Sequence, residues 1–81
     1  MKITEQWLKN NGWRIEHYDY RNEFCYATKM FGNDKAMLNS SNEFTIFREY
    51  EENNLGYANV FIDNVTTTGE LVKILDLFGY L

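Results

Sequence analysis

The spacing of apolar positions along this chain changes at Gly12. Before it, Thr4 stands where a helix N-cap is needed, and Ile3 just outside is placed to pack on Leu8 as a hydrophobic staple. Gly12 suits the left-handed position beyond a last helical turn, with Trp13 set to fold back on Leu8 in a Schellman closure. This grammar predicts a short helix over about 5–11.

From Trp13 the period becomes two, with Trp13, Ile15 and His17 on one side and Arg14, Glu16 and Tyr18 on the other. After the polar stretch 19–23, Phe24, Tyr26, Thr28 and Met30 alternate with Cys25, Ala27, Lys29 and Phe31, so the two segments read as a hairpin. Gly32, Asn33, Asp34 and Lys35 form the next turn, because Gly and Asn tolerate positive φ and Asp can bond its own backbone. A short strand over 36–39 follows and ends at Ser40, Ser41 and Asn42. Two more strands, over 44–50 and 57–62, are joined by the stretch 51–56. Val60 and Ile62 on one face of the last strand, with Phe61 on the other, predict that it lies centrally in the sheet.

A second helix opens at Thr67, where Glu70 three residues on completes a capping-box pattern. Leu71, Ile74, Leu75 and Phe78 then recur at helical spacing as one apolar stripe, and Gly79 supplies the stop. The expected fold is therefore α+β, an antiparallel sheet of four or five short strands with the N-terminal and C-terminal helices packed on one face. The element order is α-β-β-β-β-β-α, in a single domain over 1–81.

Composition supports a packed core: hydrophobic residues are 44% of the chain, and two Trp, six Tyr and six Phe supply large apolar area. A domain this small buries only about 60% of the surface its unfolded chain exposes, which makes association useful to it. The net charge is −4 and the eight bases are scattered, whereas tracking a phosphate backbone needs them gathered on one face. Direct nucleic-acid binding is accordingly not expected. Cys25, the one cysteine, has no disulfide partner within the chain, and residues 1–11 have polar positions where a signal peptide needs an apolar run. No segment approaches the roughly 18 apolar residues that span a bilayer. These features read as a cytoplasmic protein without a membrane partner.

The sharpest catalytic idea is a Cys25 nucleophile activated by His17 across the first hairpin. Grouping Trp13 and Ile15 with Phe24, Tyr26 and Met30 predicts instead that His17 faces Tyr26, while Cys25 turns to the opposite side beside Tyr18. The other register would oppose His17 and Cys25 at the cost of setting Trp13 across from Lys29. Structural zinc needs four Cys or His ligands, and this chain has one of each. The acidic run Glu49, Glu51 and Glu52 lacks the alternating ligands and central Gly of an EF-hand loop. Carboxylate pairs suited to glycoside hydrolysis arise by accident in any sheet with twelve acids, so they carry no signal. The five glycines stand singly, with neither GxGxxG nor GxxxxGK[ST] among them. No catalytic residue, cofactor or metal is expected.

Two stretches, ITEQWLKNNGW over 3–13 and VFIDNVTTTGELVKILDLF over 60–78, carry a resemblance. The chain resembles short proteins of unknown function encoded by bacteriophages, prophages and mobile elements. These open with I/L-T-x-x-W/F-L-x-x-x-G-F/W and close on a leucine-rich helix. The asparagine-rich, alanine-poor usage, ten Asn against three Ala, fits an AT-rich coding sequence of the kind common in such elements. The resemblance implies an accessory protein that acts by binding a host or phage protein.

The expected function is thus a small non-enzymatic protein-interaction module. Its candidate contact residues are Tyr18, Tyr20, Tyr50 and Tyr57 with Glu49, Glu51 and Glu52. Two other readings share the same surface: an inhibitor of a host defence or nucleic-acid-handling enzyme, with those acids meeting a basic groove, and a self-assembling component pairing with its own copy as a homodimer.

Overall fold

The structure of the protein, a computed structural model, describes residues 1–17, 24–48 and 57–81, with side chains from residue 60 onward in the last stretch. Its elements are α1 (Glu5–Asn10), β1 (Arg14–His17), β2 (Phe24–Phe31), β3 (Asp34–Asn39), β4 (Phe44–Arg48), β5 (Tyr57–Ile62) and α2 (Thr68–Leu77). The strands form one antiparallel sheet in sequence order, β1-β2-β3-β4-β5. The α+β arrangement expected from the sequence is the one observed.

Both helices are punctuated as their sequences dictate. Thr4 Oγ1 accepts a hydrogen bond from the Trp7 N–H at 3.1 Å. At the other end of α1, Gly12 takes φ +84° and donates to the Lys9 carbonyl, while Trp13 donates to the Leu8 carbonyl at 2.9 Å. These are the two bonds of a Schellman closure. Helix α2 ends in the same way, with Gly79 at φ +77° donating to Asp76 and Tyr80 donating to Leu75 at 2.9 Å. At its start the Thr67 hydroxyl accepts from the Glu70 N–H and donates to the Glu70 carboxylate at 2.8 Å. The N-terminus is tied to this cap, since Ile3 donates to the Thr66 carbonyl and Thr68 to the Met1 carbonyl.

Leu8 of α1 and Leu71 and Leu75 of α2 are buried in one cluster with Trp13, Val65, Ala27, Ala36, Leu38, Phe44 and Ile46. Cross-strand partners share a face, and Ala27↔Leu38, Leu38↔Phe44 and Ala36↔Ile46 place this group on a single side of the sheet. Both helices therefore cover that side. Two alanines where helices meet strands leave room for the larger rings and leucines to close the core.

Three sequence expectations are corrected. Strand β3 begins at Asp34, two residues before the expected start, because the hairpin needs only Gly32 and Asn33 as its loop, with Gly32 at φ +63°. That is the glycine position of a II′ turn, and it frees Asp34 and Lys35 to pair. Strand β5 lies at the edge of the sheet, not centrally. Its apolar residues on both faces reflect one covered face and one apolar face without a described cover. In the first hairpin Arg14 pairs with Thr28, Ile15 with Ala27 and Glu16 with Tyr26, after which a bulge sets His17 against Phe24. His17 thus opposes neither Tyr26 nor Cys25.

The bulge has a packing reason. Phe31 and Ala27 face the helices, and strict alternation from them reaches Cys25, leaving Phe24 on the wrong side. One inserted residue returns Phe24 to the core side, where it packs against the buried cluster.

Candidate interaction surface

The register assigns the paired residues of β1–β4, and Val60–Ile62 of β5, to a face, and the face away from the helices has no described element over it. Its central line runs through all five strands as successive cross-strand partners: Arg14, Thr28, Met37, Thr45 and Phe61. Tyr26 stands on one side of this line, and Met30, Lys35 and Phe47 on the other. Exposure is graded along it. Thr28 and Thr45 are only 9% and 6% exposed, whereas Met30 reaches 49% and Phe61 57%.

Arg14 and Glu16 put charge at the β1 edge of this face, and Lys35 stands on the central strand β3 between its partners Met30 and Phe47. Arg14 and Glu16, neighbours on β1, form an ion pair at 2.9 Å. Large apolar side chains around two threonines match the enrichment of Met and aromatic residues in protein-binding patches. Methionine also adapts its shape to a partner, having an unbranched and polarizable side chain.

Tyr18, Tyr20, Glu49, Tyr50, Glu51 and Glu52 lie outside the described residues, and so does the side chain of Tyr57, whose backbone opens β5 opposite Arg48. Met30, Met37, Phe47 and Phe61 are not among the contact residues expected from the sequence. The signal lies in the alternation, where Phe61 opposes Val60 and Ile62 along its strand, a pattern that a central strand buried on both faces shares.

The polar clusters on the helix side hold the fold together. His17 Nε2 lies 3.1 Å from Glu5 Oε2 and joins β1 to α1, a bond that becomes an ion pair when the imidazole is protonated. Lys29 Nζ donates to the Asn11 carbonyl at 2.7 Å, where a cation complements the end of α1, and also stands 5.2 Å from the Phe31 ring centre. Tyr80 stacks on Phe31 with ring centres 4.8 Å apart, and its hydroxyl donates to Asp34 Oδ2 at 2.7 Å. Burial pushes the Tyr80 phenol above its ordinary pKa, and the bond to Asp34 and that carboxylate's charge raise it further against the opposing charge of Arg48. This clasp fastens the chain after α2 to the β2–β3 hairpin.

Cys25 is a half-buried free thiol at the bulge, and its carbonyl accepts the Ser40 N–H at 3.0 Å. Among the described residues no group of three or more His, Cys, Asp or Glu side chains is placed to hold a metal ion. A shallow groove of about 510 Å³ on the helix side is lined by Trp7, Val72, Lys73, Asp76 and Leu81 among others. No helix among the described residues is long and apolar enough to cross a membrane. Comparison with protein-family models, with curated proteins and with solved structures found no match to this chain.

Proposed function

We propose that this chain is a small non-enzymatic module that binds another protein through the helix-free face of its sheet. The observation that carries the reading is the line Arg14–Thr28–Met37–Thr45–Phe61, with Met30 and Phe47 beside it. A face built for solvent alternates apolar-in with polar-out. This one keeps two methionines and two phenylalanines on the side away from the core. Met30 is 49% and Phe61 57% exposed, so binding a protein would bury these two, and apolar burial is the main driving force of such association. The phage-like setting rests on the resemblance of residues 3–13 and 60–78, and it makes a bacterial host protein the natural partner class.

The test compares three immobilised proteins in a bacterial lysate: the native chain, Met30→Glu on the helix-free face, and Leu77→Glu, which is 75% exposed on α2. The reading expects a protein retained by the native chain and by Leu77→Glu and lost with Met30→Glu. Retention that is indifferent to Met30→Glu, or lost with Leu77→Glu alone, would move the site to the helices.

A further inference from the structure

The two edges of the sheet differ in kind. β1 is four residues long, carries Arg14, Glu16 and His17, is interrupted by a bulge, and has its last side chain tied to Glu5 of α1. Short length, charge and bulges are what keep an edge from accepting another strand. β5 is six residues long, Tyr-Ala-Asn-Val-Phe-Ile, with no charged residue and no proline, and among the described strands it pairs with β4 alone. Phe61 stands 57% exposed on it.

From this asymmetry we infer that β5 pairs antiparallel with β5 of a second copy, extending the sheet across a two-fold axis. The inference goes beyond the proposed function, because it stands on the strand edge and not on the sheet face. The occupant follows from charge and symmetry. An uncharged strand can oppose its own copy without like charges meeting across the ladder, and identical antiparallel strands satisfy a two-fold axis directly. A chain with two open edges would polymerise. With β1 blunted the assembly closes at two copies. Each copy adds apolar burial that so small a domain lacks alone.

Sedimentation velocity on the full chain from micromolar to millimolar concentration tests this, alongside Phe61→Lys and hydrogen exchange at β5. The expected result is a monomer–dimer equilibrium in which alternate β5 amides gain protection as concentration rises. Phe61→Lys, which brings like charges together near the axis, should weaken dimerisation roughly tenfold or more. Where Phe61→Lys lowers folding, the concentration dependence of exchange in the native chain decides alone. A monomer throughout, open-ended polymers, or a dimer without β5 protection overturns the inference. Met30→Glu separates the two proposals, since it should abolish partner capture and leave the dimer intact.

Discussion

Phe61 stands directly across from Thr45 in the β4–β5 register, yet the phenylalanine is 57% exposed and the threonine 6%. The larger, more apolar partner of a cross-strand pair is the one left to solvent. One residue along the same two strands, Phe44 pairs with Ile62 on the helix side and is fully buried. The same two strands therefore carry a structural phenylalanine on one face and one with no role in the core on the other.

That contrast gives a stability prediction. Phe44→Ala should cost about 3–5 kcal/mol, the range for deleting a buried aromatic. Phe61→Thr should fall within about 0.5 kcal/mol of the native chain, because the site is open and threonine suits a strand. Urea unfolding of both proteins checks the ordering, and equal losses would mean that the two faces are both core.

Gly12 and Gly79 occupy equivalent positions in the two Schellman closures, at φ +84° and +77°. Gly12→Ala should destabilise by about 1–2 kcal/mol through left-handed strain alone. Space is not the obstacle, as a Cβ there would meet Lys29 Nζ at 3.5 Å, an ordinary contact. A thermal melt showing no loss for Gly12→Ala would count against this closure.

Tyr80→Phe keeps the stack on Phe31 and removes the bond to Asp34, a loss of about 1 kcal/mol. The pH dependence follows from the raised phenol pKa. The folded state holds the proton more tightly than the unfolded state, so this contribution is full below pH 10.0, the ordinary value, and is lost as pH rises through the folded pKa. Tyr80→Phe should flatten that part of the alkaline decline in denaturant titrations. An unchanged alkaline profile would remove the clasp from the account.

His17→Ala and Cys25→Ala test the enzyme reading. The His17–Glu5 pair has side chains 29% and 41% exposed, so screening limits its loss to less than about 1 kcal/mol. Partner capture should be unchanged in the double variant. Loss of capture or of any turnover would return the two residues to the functional site.

The helix caps and the stripe Leu71, Ile74, Leu75 and Phe78 were legible because each is written in a few neighbouring residues, and the alternation marked the strands to within one, four or five. Strand position was not legible. Val60, Phe61 and Ile62 look alike in a central strand and in an edge strand with one apolar face uncovered, and only the order of the whole sheet separates the two. The β1–β2 register was missed because large apolar residues were grouped together. The helices instead demanded the small Ala27 beneath them and a bulge to recover Phe24. Tyr80 followed the last helix and its stop signal, and its partners Phe31 and Asp34 lie far away in sequence.

Methionine methyl groups give the most direct test of the binding face. Of the chain's three methionines, Met30 and Met37 lie on the helix-free face, and Met1, 79% exposed, is at the terminus beside the α2 cap. In a 13C-methyl-methionine spectrum titrated with the captured protein, the account predicts shifts or broadening of Met30 and Met37 with Met1 unmoved. A complex that perturbs Met1 alone, or neither Met30 nor Met37, would contradict it.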